Sequence, residues 1–288
     1  MRILRTIAEV REHVAAARAA GRSVGLVPTM GAFHDGHAAL MRAAVEQCDD
    51  VVVSLFVNPT QFGEATDLAA YPRTEASDVA VAEALGVDAL FVPAVAEIYP
   101  DGFATTVTVG GLGEVLEGAE RGPGHFAGVC TVVCKLFTIV APDLAYFGQK
   151  DAQQVVVVRR MTRDLDLPVQ IRTVPTVRET DGLAMSSRNA RLGPADRERA
   201  TALHAGLEAA RAVLADDGRD PRAAEAAGAA ALRAAGVEPE YFAVVDPDTL
   251  EPVQPGGAQR VLVVVAARVG PARLIDNLPL DLEPVATP

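Results

Sequence analysis

The sequence predicts an α/β protein: a doubly wound parallel sheet, followed by a smaller α+β domain. Three observations carry this. Short apolar, β-branched runs alternate with longer Ala-rich stretches, the pattern of repeated strand–helix–strand units. The run 51–57, VVVSLFV, is almost continuously apolar, as befits a strand covered by helices on both faces. After about Arg178 the texture changes, and two Ala/Arg/Glu helices precede further strands.

In chain order, the segment 1–14 reads as a strand or loop leading into an amphipathic helix. A strand at 24–27 is followed by a Gly-containing turn and a helix over 37–48. After the strand at 51–57, a helix over 75–85 leads to a short strand at 89–92. A helix over 129–140, a strand at 144–147, a helix over 153–164 and a strand at 169–173 complete the alternation. Right-handed crossovers wind such a sheet, and its ligands sit beyond the C-terminal ends of the strands. Helices over 194–215 and 221–235 then precede strands at 241–245 and 261–267. The predicted domains are 1–177 and 178–288. The Pro-rich segment after Asn277 reads as a disordered tail.

With 288 residues, half of them hydrophobic, the chain can bury a sizeable core. No apolar run is long enough to span a membrane, and the N-terminus does not resemble a secretory signal. The three cysteines lack metal-ligand spacing. Cys130 and Cys134, four apart in an apolar stretch, read as small core residues of one helix face. These features predict a reduced, cytoplasmic protein with no membrane partner. The net charge of −12 argues against nucleic acid as a partner. A protein this acidic that handles a polyanion must concentrate its positive groups in one place.

Four segments supply such a concentration. The first is Pro28–His37, PTMGAFHDGH, which follows a strand and opens a helix, so that the helix N-terminus and its N–H groups face whatever binds. His34 and His37 straddle the turn and can reach one phosphate group, while Gly31 and Gly36 allow close backbone approach. An H-x-G-H after a strand is a nucleotidyltransferase signature for attack at an α-phosphate. The second is Phe147–Asp151, FGQKD, where Gly148 permits a tight turn, Lys150 can meet phosphate and Asp151 can accept from a ribose hydroxyl. Of 26 basic residues only Lys135 and Lys150 are lysine, so Lys150 marks a place where a compact ammonium is wanted. Lys135, in an apparent core helix, shows that rarity is not proof.

The third is Met185–Asn189, MSSRN, in which Ser186, Ser187 and Arg188 can grip β- and γ-phosphate oxygens. Paired with an upstream H-x-G-H, it resembles the two-signature layout of class I aminoacyl-tRNA synthetases. The fourth is SLFVNPTQF, 54–62. Here Asn58 and Gln61 end a buried strand where a ligand pocket is expected, and Gln154 is placed to face it from the following helix. Local capping is the alternative reading of these amides.

Together PTMGAFHDGH, SLFVNPTQF, AYPRT, HFAGVCTVVCKLF, FGQKDAQQ, VPTVRETDGLAMSSRN and RLIDN resemble the pantoate–β-alanine ligase family over nearly the whole chain. The resemblance implies a Rossmann-like N-terminal domain, a smaller C-terminal lid and a cytoplasmic homodimer. It implies a two-step reaction in which pantoate and ATP give pantoyl adenylate and pyrophosphate, after which β-alanine displaces AMP. Met30 to His37 (Met30, Gly31, Ala32, Phe33, His34, Asp35, Gly36, His37), Gly148, Gln149, Lys150, Asp151, Val177, Met185, Ser186, Ser187 and Arg188 would hold ATP. Gln61 and Gln154 would hold pantoate, with Gln61 also beside β-alanine. The resemblance would also give His37 the family's proton-donor role. A carboxylate nucleophile needs no base, however, so His34 and His37, with Lys150 and Arg188, read better as transition-state stabilisers.

The chain departs from the family pattern at Gln149, where Glu is common, at Ala152, where an aromatic is usual, and in R-G-P-G-H (121–125), one residue longer than usual. After AYPRT some members carry an acidic pair proposed to help hold magnesium. Here only Asp78 remains, beside Ser77, so the implied Mg²⁺ rests chiefly on ATP phosphates and water, with no protein ligand assigned. A nucleotidyltransferase acting on another small substrate, or an ATP-binding regulator, is the competing reading of H-x-G-H taken alone.

Overall fold

The structure, a computed structural model, describes residues 1–63, 68–69, 71–122, 124–215, 220–256 and 259–282. The chain forms two compact units, Met1–Gln149 with Gln153–Pro175, and Lys150–Ala152 with Thr176–Pro288. Among the described residues no helix is long and apolar enough to cross a membrane.

The first unit holds a parallel sheet of strands β1 (Arg2–Leu4), β2 (Val24–Thr29), β3 (Asp50–Leu55), β4 (Ala89–Phe91), β5 (Leu144–Gly148) and β6 (Gln170–Val174), ordered β1-β4-β3-β2-β5-β6. The strand order reverses between β2 and β5. That is the switch point at which a doubly wound sheet opens a crevice. Neighbouring strand residues face opposite ways, and both faces are covered. Leu26, Val52 and Phe91 enter one core, which includes Val133 and Phe137 of the long helix Gly124–Val140. Val27, Val53 and Leu90 enter the other, with Leu40 and Met41 of helix Asp35–Gln47. Each such side chain removed from water contributes roughly 1.5–3 kcal/mol, which explains why these strands read as unbroken apolar runs.

The second unit is an antiparallel sheet, β7 (Pro239–Val245), β8 (Arg260–Val269) and β9 (Ala272–Asp281), with helices Pro194–Ala200, Ala202–Ala215 and Pro221–Ala234. Its core joins Leu203, Leu207 and Leu232 to Val263 and Val265. The predicted fold class, with a parallel α/β sheet and a separate small α+β part, is thus what the chain adopts.

Three details differ from the expectation. The helix expected from 129 begins at Gly124, because burial of Phe126 offsets the low helix propensity of Gly124 and Gly128. The helix expected over 194–215 breaks at Thr201, whose hydroxyl donates to the Glu198 carbonyl and tightens the turn. Residues 278–281 are not tail but the end of β9, with Pro279 opposite Leu262. Proline is tolerated there because β9 is an edge strand whose outer side needs no donor. Residues 283–288 lie outside the described residues. Cys48, Cys130 and Cys134 are free thiols, and burial pushes Cys130 up to about 12.

Candidate active site

The H-x-G-H turn leaves the C-terminal end of β2, beside the switch point, and enters helix Asp35–Gln47. Its two histidines cap that helix. His34 is the N-cap and its Nδ1 accepts from Gly36 N at 3.1 Å, while His37 Nδ1 accepts from His34 N at 3.3 Å. This is a capping box with imidazoles in place of the usual hydroxyl and carboxylate. An accepting Nδ1 leaves the hydrogen of a neutral ring on Nε2. The two rings lie 4.2 Å apart, tilted by 46°. Phe33 packs on His37 at 5.4 Å.

The backbone of the turn is arranged otherwise than expected. The N–H groups of Ala32 and Phe33 do not await a ligand but donate to the buried carboxylate of Asp78, at 3.0 and 2.8 Å. His34 N and Gly36 N are likewise spent, on the two imidazoles. Asp35 is exposed and Gly36 half-buried in the first turn.

The SLFVNPTQF segment reaches the same neighbourhood. Gln61 Nε2 approaches Met30 Sδ at 3.4 Å, joining the first and fourth motifs. Asn58, expected at a pocket mouth, is instead 1% exposed with its amide fully engaged. Its Nδ2 donates to Gln61 Oε1 (2.9 Å) and Gly128 O (3.1 Å), and its Oδ1 accepts from the hydroxyls of Tyr99 (2.8 Å) and Thr60 (2.9 Å). Asn58 orients Gln61 and has no capacity left for a ligand. Burial raises the Tyr99 phenol above its ordinary value, against a smaller opposing effect of the Thr60 hydroxyl, so Tyr99 stays a donor to Asn58 near neutral pH. His125 Nδ1 bonds the Gln61 carbonyl at 2.8 Å. Helix Gly124–Val140 comes so close to Thr60 and Gln61 that a Cβ on Gly128 would lie 2.5 Å from Thr60 O.

Gln154 is half-buried in the first turn of helix Ala152–Asp164. Its neighbour Gln153, which the sequence did not single out, is a structural pin. It donates to Leu112 O and Val115 O, both at 2.8 Å, and accepts from Glu117 N at 3.0 Å. Arg121 pairs with Glu117 at 2.8 Å. Gly148 closes β5 opposite Val174, and a Cβ there would meet nothing within 4 Å. Its bareness leaves open backbone and is not needed for a tight turn. Gln149 follows it in the short 3-10 turn Gln149–Asp151.

In the second unit Lys150 Nζ pairs with Asp151 Oδ1 at 3.4 Å and its side chain is 19% exposed. Val177 O accepts from Met185 N at 2.9 Å, and Arg178 and Ala184 form a bridge between them, so these two predicted residues face each other across a small hairpin. Arg178 holds the hairpin to β9 through both oxygens of buried Asp276, at 2.6 and 3.0 Å. Ser186 caps the 3-10 turn Ser187–Arg191 by accepting from Arg188 N at 3.3 Å. Asn189 donates to Glu179 Oε1 at 2.8 Å and Ala184 O at 3.1 Å. Arg197 donates to Glu179 and Asp181 from the other side, at 2.7 and 2.8 Å. The turn presenting Ser186 to Arg188 is thus braced from below.

The family model for pantoate-beta-alanine ligase matches residues 2–279. The chain belongs to the pantoate-beta-alanine ligase family. Relatives include the pantothenate synthetase of Moorella thermoacetica, 53% identical over 98% of this chain and 99% of its own, and that of Rhizorhabdus wittichii, 51% identical over 99% and 100%. The pantothenate synthetase of Thermus thermophilus superposes with a TM-score of 0.91 at 49% identity, covering 96% of this chain and 99% of its own. A pantoate-beta-alanine ligase of Francisella tularensis, solved with beta-gamma ATP and beta-alanine, gives a TM-score of 0.79 at 33% identity, over 96% and 97%. The two histidines of this family member therefore stand in a turn in which the amides of Ala32, Phe33, His34 and Gly36 are spent internally.

Proposed function

We propose that this chain condenses pantoate with β-alanine at the expense of ATP, through a pantoyl adenylate, releasing AMP and pyrophosphate. Membership of the ligase family carries the reading, and the His34/His37 pair beside the switch point supports it. A pantoate carboxylate oxygen attacks the α-phosphorus, and the bond to the pyrophosphate oxygen breaks. The amine of β-alanine then attacks the acyl carbon, loses a proton, and AMP leaves with the oxygen through which the acid was activated.

In this reading the imidazoles of His34 and His37 stabilise charge growing on the α-phosphate. Met30 to His37, Gly148 to Asp151, Val177 and Met185 to Arg188 bind the nucleotide, with Lys150 and Arg188 acting on its phosphates. Gln61 and Gln154 bind pantoate, and Asn58 serves by fixing Gln61. Residues 1–177 form the nucleotide- and pantoate-binding domain and 178–288 a lid. The enzyme works as a cytoplasmic homodimer. Magnesium would neutralise charge on the phosphates of ATP. The ion is proposed to travel with the nucleotide, held chiefly by its phosphates and by water.

The test is isotopic. Pantoate labelled with ¹⁸O in its carboxylate should deliver one label into AMP and none into orthophosphate. Pyrophosphate should appear with pantoate and ATP even before β-alanine is added. Formation of ADP, or label in orthophosphate, overturns the adenylate mechanism.

A further inference from the structure

Asp78 lies in helix Glu75–Ala84, is 1% exposed, and spends its charge on the H-x-G-H turn. Oδ2 accepts from Ala32 N at 3.0 Å and from the Thr74 hydroxyl at 3.1 Å, and Oδ1 accepts from Phe33 N at 2.8 Å. The backbone it grips is unusual. Gly31 has φ 86° and Ala32, which carries a Cβ, has φ 54°. A left-handed alanine costs roughly 1–2 kcal/mol, so the turn needs something to hold it. Successive N–H groups in such a conformation form a concavity that accepts an anion. Here the anion comes from the chain itself. A Cβ on Gly31 would sit 3.0 Å from Asp78 Oδ2, so the carboxylate lies tight against the turn.

We propose that Asp78 is a positioning residue for the reaction: an internal anion that fixes the turn and, through it, the placement of both imidazoles, in place of a magnesium ligand. His34 follows the second clamped amide directly, and its own N–H ties it to His37. A displacement at Ala32–Phe33 therefore passes to both rings. A magnesium ion on Asp78 would compete with three hydrogen bonds that the buried carboxylate already accepts. The inference rests on the reading of His34 and His37 as groups that act on the nucleotide.

The experiment compares wild type with Asp78→Asn and Thr74→Val in steady-state pyrophosphate release, magnesium titration and amide hydrogen exchange. Asn keeps the shape but turns an NH₂ group toward one of the two backbone donors. Asp78→Asn should lower kcat by about 10- to 100-fold, the scale of an ångström-size misplacement. Half-saturating magnesium should stay within about twofold, since no coordinating oxygen is lost, and exchange at residues 32 and 33 should quicken. Thr74→Val, which removes one bond to Oδ2, should show a smaller fall in kcat of about threefold, one weak hydrogen bond's worth, also without a magnesium shift. It carries the test if Asp78→Asn does not fold. Unchanged kcat in a folded Asp78→Asn or in Thr74→Val, or a loss recovered by excess magnesium, overturns the proposal. If wild type releases no pyrophosphate with pantoate, the functional reading fails instead. Exchange at residues 32 and 33 then still decides whether Asp78 holds the turn.

Discussion

Asn277, near the end of the chain, donates its side-chain amide to the main-chain carbonyl of Lys150 across 2.9 Å. Its neighbour Asp276 carries Arg178, so the late RLIDN segment anchors both the lysine and the hairpin that leads to Ser186. Asn277→Ala should raise the KM for ATP while leaving that for pantoate within about twofold, and should lose about 1–3 kcal/mol of stability for the unmatched carbonyl. Asn277→Asp, which faces an acceptor with an acceptor, should be worse than Ala on both counts. Steady-state kinetics with thermal melts would show it, and an Asp variant equal to wild type would remove the role of the bond.

His34 has two duties that substitution can separate. His34→Ala should lose about 0.5–2 kcal/mol of stability with the N-cap, whereas His34→Asn keeps a capping oxygen and should melt near wild type. Both should lower adenylation by about two orders of magnitude, the scale of one preorganised donor. Melting curves and pyrophosphate release measured on the same preparations check both halves. A fully active His34→Asn would leave the ring with capping alone.

Lys150→Ala and Arg188→Ala should each reduce adenylation by at least about two orders of magnitude. Their half-buried side chains lie outside the three cores, so melting temperatures should stay near wild type. Normal turnover in Lys150→Ala would sink its assignment.

Gly128→Ala puts a methyl 2.5 Å from Thr60 O and 2.7 Å from Gln61 N. Backbone cannot step aside as a side-chain tip can, so the helix must shift at a cost of about 1–3 kcal/mol. Because Asn58 bonds the Gly128 carbonyl and Gln61 together, the KM for pantoate should rise more than that for ATP. Equal effects on both substrates, or none, would count against this link.

Asp143 offers a test in acid. Burial alone would raise its carboxyl, but the hydrogen bond from Arg18 and the N–H of Val24, at 2.6 and 2.7 Å, outweigh it and hold the group below its ordinary value. A depressed carboxylate stabilises the fold above its unfolded pKa of about 3.9, and that contribution is lost as pH falls through the folded value. Asp143→Asn should therefore lower the melting temperature most above about pH 5, with the gap to wild type closing below about pH 4. A gap independent of pH would mean that the charge is not what matters.

Much of this protein was legible in its sequence. The strand and helix pattern, the change of architecture after the parallel sheet and the H-x-G-H turn all follow from local periodicity and motif order. Burial on both faces of a strand leaves a run such as 51–57, which can be read without any partner being known. Asn58 was harder. Its place before Pro59 and Thr60 signals a cap as readily as a ligand contact, and only the approach of Gly128 and Tyr99 decides that the amide is consumed inside. His125 and Gln153 fall in segments that carry the family resemblance, but nothing local marks their partners, which are the main-chain atoms of Gln61, Leu112, Val115 and Glu117.

The sequence by itself determined which segments bury apolar surface and which residue types can meet a phosphate, because both depend on side-chain chemistry and on periods of two and 3.6 residues. Only the tertiary structure decided where the buried polar groups find their partners. Asp78 meets amides 45 and 46 positions away and Asn277 a carbonyl 127 positions away. A buried donor or acceptor must be satisfied by whatever the fold brings within about 3 Å. That distance is set by the packing of whole elements and leaves no mark in the neighbouring residues.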